Sequence, residues 1–128
     1  MLRVVIDTNV IVSAIIAPKS NPGHIIELVL SHKLQAFYSS KIIEEYEDVL
    51  LRPKFGFNHK TVFQFLDYII NSGIFVEPIP STIPLPDESD RYFYDTAKSS
   101  GAYLITGNIR HFPNEISIIN PASFLMSL

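Results

Sequence analysis

The stretch that decides the fold lies at residues 4–10 and reads Val-Val-Ile-Asp-Thr-Asn-Val. Its apolar, β-branched beginning predicts a short buried strand over residues 2–6, as in the inner strands of parallel sheets. Asp7 follows this strand directly. In open parallel α/β sheets, ligands bind in the crevice outside the carboxyl ends of the strands. Asp7 is therefore placed to hold a metal ion or to exchange a proton.

Length and composition narrow the class of protein. The 128 residues predict a single domain over residues 1–128, and the hydrophobic fraction of 47% is ample for its core. The chain has no cysteine, which excludes disulfides and thiolate metal sites. The N-terminus lacks the features of a signal peptide, and no apolar run approaches the ~18 residues of a membrane span. A cytoplasmic location without a membrane anchor is therefore the expectation.

Several familiar sites are disfavoured by the sequence. The four histidines form no HxxxH or HxH pattern, which disfavours a zinc site. There is no phosphate-binding P-loop, dinucleotide fingerprint or nucleophile elbow. The net charge of −3 argues against binding nucleic acid through a bulk positive field, but not against a nucleic-acid enzyme whose acids bind cations. The basic and aromatic residues at 54–60 form a weak candidate patch for nucleic acid, for which surface packing is the simpler explanation.

Short apolar strands alternate with helices along the chain. Strands are predicted at residues 2–6, 35–38, 74–79, 103–106 and 116–119. Helices are predicted at residues 8–16, 22–31, 41–51, 61–71 and 88–101, with a short one from residue 121, and we expect Asn21 and Ser40 to cap the second and third. The alternation predicts a three-layer α/β/α architecture around a central, mostly parallel sheet of about five short strands.

Helical geometry sorts the acids of the third helix. Glu44 and Asp48 lie opposite the apolar stripe and should be exposed. Glu45 and Glu47 flank the stripe, one on each side, and periodicity does not choose between them. Both are more simply explained as edge glutamates whose stems are packed and whose heads are in water.

The helix capped by Asp87 places Asp90 on the same face as Phe93, Tyr94 and Ala97, which should pack on the sheet. Arg91, Asp95 and Ser99 are predicted to point elsewhere. An acid on a buried face needs a partner, because an unpaired buried charge is costly. However, an acid in the first helical turn is also favoured by the helix dipole, so Asp90 has a structural explanation as well.

A second strand-end polar residue is Asn108, which follows the strand at 103–106 and Gly107. It is predicted either to face the same crevice as Asp7 or to belong to a simple turn. Asp7 itself has the alternative role of a helix N-cap, which is compatible with metal binding. Thr8 and Asn9 are positioned to orient it by hydrogen bonds.

These motifs together resemble those of PIN-domain proteins, in the VapC-like branch of toxins from toxin–antitoxin systems. The resemblance covers essentially the whole chain. It rests on four segments in order: residues 5–10 (VIDTNV), 40–55 (SKIIEEYEDVL and RPKF), 87–97 (DESD with Phe93 and Ala97) and 104–113 (LITGN and HFP).

The resemblance implies a ribonuclease on a parallel α/β sheet whose acids hold Mg²⁺ or Mn²⁺. Matched motif to motif, the first family acid falls on Asp7, the second on Glu45 rather than Glu47, and the third on Asp90. The fourth position, often aspartate, is Asn108 here, which removes one formal charge. The resemblance also implies Thr106 and Asn9 as supporting polar residues, which join Thr8 beside Asp7.

The implied partners are an RNA substrate, a cognate antitoxin protein that covers the acidic crevice, and a second copy of the chain in a homodimer. An alternative is a PIN-fold module that binds RNA or protein and has weakened or lost activity, with Asn108 as the first step. Phosphotransferases of the haloacid dehalogenase type place a second aspartate where this chain has Asn9, and a receiver domain needs adjacent N-terminal acids. Both are therefore disfavoured.

Overall fold

Five short strands form one sheet in the computed structural model, which describes residues 1–128. The strands are β1 (Arg3–Ile6), β2 (Gln35–Tyr38), β3 (Ile74–Phe75), β4 (Tyr103–Ile105) and β5 (Ile118–Ile119). The helices are α1 (Thr8–Ile16), α2 (Asn21–Leu30), α3 (Ser40–Leu50), α4 (His59–Ser72), α5 (Arg91–Ser100) and α6 (Pro121–Met126). Two 3₁₀ turns, Glu88–Asp90 and Ile109–His111, precede α5 and β5.

The sheet is entirely parallel, with strand order β3-β2-β1-β4-β5. Val4 of the central strand pairs with Ala36 on one side and with Tyr103 on the other. The chain first builds outward from β1 to β3 and then returns to add β4 and β5. The strand order therefore reverses between β1 and β4, and ligand crevices in such sheets open at this switch point.

Helices lie on both sides of the sheet and complete the predicted three-layer α/β/α fold. The helix α5 lies against β1, β2 and β4, whereas α2 packs against α1 and α6. The side-chain hydroxyl of Tyr46, which is buried on α3, donates a hydrogen bond to the backbone carbonyl of Ile6 at the end of β1. This bond joins α3 to the central strand one residue before Asp7. None of the helices combines the length and apolar character that a membrane span requires.

Several predicted boundaries are wrong by a few residues. Ser20 rather than Asn21 caps α2, because its Oγ accepts a hydrogen bond from the backbone N–H of Gly23. Likewise, α3 begins at Ser40, so the residue before it, Ser39, occupies the cap position. The strand β3 ends at Phe75 instead of residue 79. Two prolines, at positions 78 and 80, lack the N–H groups that would extend the ladder.

Candidate metal centre

The carboxylate of Asp7 is held rigidly at the end of β1. Asp7 caps α1, is 6% exposed, and its Oδ1 accepts a hydrogen bond of 2.8 Å from the backbone N–H of Thr8. Its Oδ2 accepts two more, from Thr106 Oγ1 at 2.7 Å and from Asn9 Nδ2 at 3.1 Å. Two of the predicted supporting residues, Asn9 and Thr106, thus contact Asp7 through their side chains, whereas Thr8 does so through its backbone.

The same side chains tie the loop after β1 to the loop after β4. Asn9 Oδ1 accepts a hydrogen bond of 2.9 Å from the N–H of Gly107, and Thr106 Oγ1 accepts one of 3.0 Å from the N–H of Asn108. A Cβ atom at position 107 would lie 3.2 Å from Asn9 Oδ1, so the close approach favours glycine there. This arrangement brings Asn108 to the cleft beside Asp7, as predicted for two neighbouring strand ends.

One open cleft at the carboxyl edge of the sheet collects the predicted residues. It is lined by Asp7, Thr8, Asn9, Glu45, Asp90 and Asn108, together with Asp87, His111 and a few apolar neighbours, and by no lysine or arginine. Glu47 lies elsewhere, on the exposed surface formed with Glu44 and Asp48. The geometry therefore places Glu45 in the cleft and Glu47 outside it, a choice that helical periodicity left open.

Asp90 reaches the cleft by a different route from the predicted one. The expected helix over 88–101 is divided into the 3₁₀ turn Glu88–Asp90 and α5, so Asp90 precedes the buried face instead of beginning it. Its carboxylate Oδ2 lies 3.2 Å from Nδ1 of His111. The apolar face itself is as predicted, with Phe93, Tyr94 and Ala97 buried.

The prediction that Asp95 points away from the core is wrong. Asp95 is 4% exposed, and its Oδ1 has no hydrogen-bond partner. The segment at 79–83 runs along this second face of α5. It is held by Ser99, which accepts a hydrogen bond from the N–H of Ile79, and by Arg91, which donates to Ser81 and to the Ile83 carbonyl. A single apolar stripe predicts the buried residues of a helix only when the helix is covered on one side, whereas α5 is covered on two.

Two residues of the cleft were not among the predicted site residues. The potential ligand atoms of Asp87, Asp90 and His111 all lie within 4.8 Å of one another. Asp87 was predicted only as a helix cap, and its Oδ1 does accept a hydrogen bond from the N–H of Ser89. His111 could have been found from its place three residues after Asn108, because it ends the turn Ile109–His111, which begins at the cleft.

The carboxylates of the cleft repel one another, because no lysine or arginine lies among them. Burial raises the pKa of Asp7 to about 6 against the lowering effect of the Thr106 hydrogen bond, and the charges of Asp90 and Glu45 add to the rise. Burial also raises the pKa of Asp90, followed by repulsion from Asp87. A cation in the cleft would relieve this mutual repulsion.

The donor atoms fit a divalent metal ion. Carboxylate and amide oxygens are the ligands that Mg²⁺ prefers, and Mn²⁺ also accepts an imidazole nitrogen. The hydroxyl of Thr8, which lies in the cleft wall, is buried without a hydrogen-bond partner. Such an orphaned polar atom indicates a partner that arrives with a ligand or a hydrated ion.

Comparison with known proteins agrees with this fold. An uncharacterized protein of Methanocaldococcus jannaschii, MJ1680, is 32% identical over 110 residues, which cover 84% of this chain and 71% of that protein. The crystal structure of PAE2754 from Pyrobaculum aerophilum has a similar fold, with a TM-score of 0.57 and 14% identity over 98% of this chain and 88% of that one. The model of the PIN domain family matches residues 3–110. The chain therefore belongs to the PIN domain family, whose members are generally nucleases that bind divalent metal ions.

Proposed function

We propose that this chain is a metal-dependent endoribonuclease that hydrolyses phosphodiester bonds of RNA with Mg²⁺ or Mn²⁺. The observation that carries the proposal is the cleft itself. Four carboxylates, those of Asp7, Glu45, Asp87 and Asp90, line it together without a lysine or arginine. Acids assembled at a switch point of the sheet without a protein countercharge favour a cationic cofactor and a phosphate substrate.

Each side chain has a separate role in this proposal. Asp7 and Asp90 would hold the ion directly, and Asp7 is already oriented for this by its three hydrogen bonds. Glu45 orients the attacking water and accepts its proton as the water oxygen bonds to phosphorus, while the bond from phosphorus to the leaving ribose oxygen breaks and that oxygen takes a proton from solvent. When bound, the ion would lower the pKa of that water and stabilise negative charge on the phosphate.

Asn108 supplies an amide oxygen at the position where the family often has a fourth acid. One fewer negative charge favours a single tightly bound ion over two. His111 contacts Asp90 and is close enough to orient that carboxylate or to share the ion with it.

The resemblance to VapC-like toxins supports a biological role as the toxin of a toxin–antitoxin pair in the cytoplasm. In that role a cognate antitoxin would cover the acidic cleft, and a basic side chain of the partner would take the place of the cation. A homodimer belongs to the same proposal. This role is tested by copurifying the chain with the product of a neighbouring gene. RNA cleavage should be lost in the complex and recovered when the partner is removed.

A matched pair of glutamates on α3 tests the chemistry. We expect Glu45→Gln to reduce Mn²⁺-dependent cleavage of single-stranded RNA by about 100-fold, because it removes the proton acceptor. Glu47→Gln removes the same charge two residues away, outside the cleft, and should cleave as the parent does. Equal rates for the two variants would contradict the assigned role of Glu45.

The alternative function is that of a binding module without activity, favoured by the amide at position 108. It predicts that the parent protein, purified free of contaminating nucleases, binds RNA but releases no cleavage product with Mg²⁺ or Mn²⁺. Asn108→Asp, which restores the fourth acid, should then produce cleavage.

A further inference from the structure

The cleft is also lined by one aromatic side chain, which belongs to a basic segment of the chain. Phe55 lines the same cleft as Asp7 and Glu45, and it lies in the segment of residues 51–60. This segment contains three of the ten Lys and Arg residues of the chain and no acid. The segment thus brings an aromatic ring into the acidic cleft, while its three basic side chains lie outside the cleft lining, in a chain whose net charge is −3.

The aromatic ring of Phe55 is held in place by its neighbours. It stacks on the ring of Phe57, with centroids 5.1 Å apart and an angle of 8° between the planes. Phe57 packs in turn against the hydrophobic core. The turn is closed by a hydrogen bond of 3.1 Å from the N–H of Phe55 to the carbonyl of Arg52. The pair is therefore an aromatic platform attached to the core, not a freely moving side chain.

A cation accompanies the platform. Lys54 Nζ lies 5.1 Å from the centroid of the Phe55 ring, and the lysine is exposed. An exposed cation–π contact is weak, so the ammonium group readily exchanges the ring for a stronger anionic partner. A lysine beside an aromatic ring is the combination that binds the phosphate and the base of one nucleotide.

We propose that Phe55 and Lys54 form a subsite for one unpaired nucleotide of the RNA strand, whose base stacks on Phe55 while Lys54 pairs with its phosphate. This inference rests on the proposed function, because it positions the strand for cleavage at the acids. Only a base released from its own helical stack can use a protein ring in this way, so the subsite selects single-stranded over duplex RNA.

Binding in an inactive background tests the subsite without relying on cleavage. In Asp7→Asn protein, Phe55→Leu should weaken the Kd for a short single-stranded RNA by about tenfold, as expected for a lost base stack. Phe63→Leu is the matched control, because Phe63 is 46% exposed on α4 and does not line the cleft. Phe55→Tyr keeps the ring and should restore the affinity, which distinguishes stacking from a general effect on folding.

A fluorescent base reports the stacking directly. An RNA strand that carries 2-aminopurine should lose fluorescence on binding to the Asp7→Asn protein, but not on binding to Asp7→Asn with Phe55→Leu. Lys54→Ala should weaken single-stranded RNA binding and reduce its salt dependence by about one counterion. Equal affinities of the Phe55 and Phe63 variants, or equal binding of duplex and single strand, would overturn the subsite. If the parent protein did not cleave RNA but the binding differences between the variants remained, the proposed function would be overturned and the subsite would stand.

Discussion

Asp7 and Asp90 line the same cleft, but they are held there in different ways. Asp7 is 6% exposed and accepts three hydrogen bonds from its neighbours. The side chain of Asp90 is 18% exposed, and its one hydrogen-bond partner is the exposed ring of His111. The sheet fixes the first carboxylate, whereas turns without regular pairing carry the second.

The difference divides the candidate centre into two halves. The strand-end half consists of Asp7, Asn9 and Thr106, and the turn half consists of Asp87, Asp90 and His111. The strand-end half is organised before any ion binds, so its residues should contribute the most to affinity and catalysis. The contacts that hold the turn half are fewer and more exposed, so single changes there should have smaller effects.

The largest expected effect is that of Asp7→Asn, which removes the fixed charge of the strand-end half. RNA cleavage with Mn²⁺ should fall by about 100-fold or more, because a preorganised electrostatic partner is lost. Product release from a labelled single-stranded RNA under single-turnover conditions measures this. A variant that cleaves as fast as the parent would show that Asp7 is only a helix cap.

Thr106→Val should have the next largest effect. The hydroxyl of Thr106 donates to Asp7 and limits the rise in the pKa of that carboxyl. Its removal should weaken metal binding by about tenfold or more, as for other residues that orient metal ligands. It should also move the pH dependence of cleavage upward. Thr106→Ser, which retains the hydroxyl, should behave as the parent does, and titration calorimetry with Mn²⁺ compares the three proteins.

The stability of the metal-free protein should change in the opposite direction to its activity. Because the pKa of Asp7 is raised from 3.8 to about 6, the folded chain binds this proton more tightly than the unfolded chain. The resulting stabilisation is complete below about pH 4 and is lost as the pH rises through about 6. A rise of about two pKa units corresponds to roughly 3 kcal/mol.

Asp7→Asn avoids this loss but gives up the hydrogen bond from the Asn9 amide, which costs about 1 kcal/mol. With a chelator present, the variant should therefore be more stable than the parent by about 1–2 kcal/mol at neutral pH, and no more stable near pH 4. Urea unfolding at the two pH values measures the difference. A variant that is less stable than the parent at both would contradict the electrostatic strain assigned to Asp7.

The smallest expected effect belongs to the turn half. His111→Ala should weaken Mn²⁺ binding by about threefold and Mg²⁺ binding less, because an imidazole nitrogen suits Mn²⁺ better. His59→Ala is the control, since His59 is exposed at the start of α4 and outside the cleft. A loss as large as that for Thr106→Val would remove the distinction between the two halves.

Much of the fold could be predicted because its signals are local. β1, α1 and the alternation of strands and helices follow from short apolar runs, caps and prolines. The positions of Asp7 and Asn108 were predicted for the same reason, since Asp7 directly follows β1, and Asn108 follows β4 after Thr106 and Gly107. These residues need only the rule that parallel strands end at one edge of the sheet.

The rest depends on contacts between segments without regular structure. Helical spacing placed Glu45 and Glu47 equally on either side of one stripe, and only the position of α3 beside β1 separates them. Asp95 is buried on the face of α5 where Arg91 and Ser99 bind the irregular segment at 79–83, which has no periodicity to detect. The approach of Asp87 to His111 joins two such turns.

The hydrogen bond between Thr106 and Asp7 also has a consequence for synthesis on the ribosome. The two residues are 99 positions apart, and β4 brings Thr106 to β1 by pairing directly with it. A nascent chain therefore carries Asp7 beside β2 but without its Thr106 partner until β4 has emerged. Any nuclease activity of this protein should begin only after β4 has been synthesised and has paired with β1.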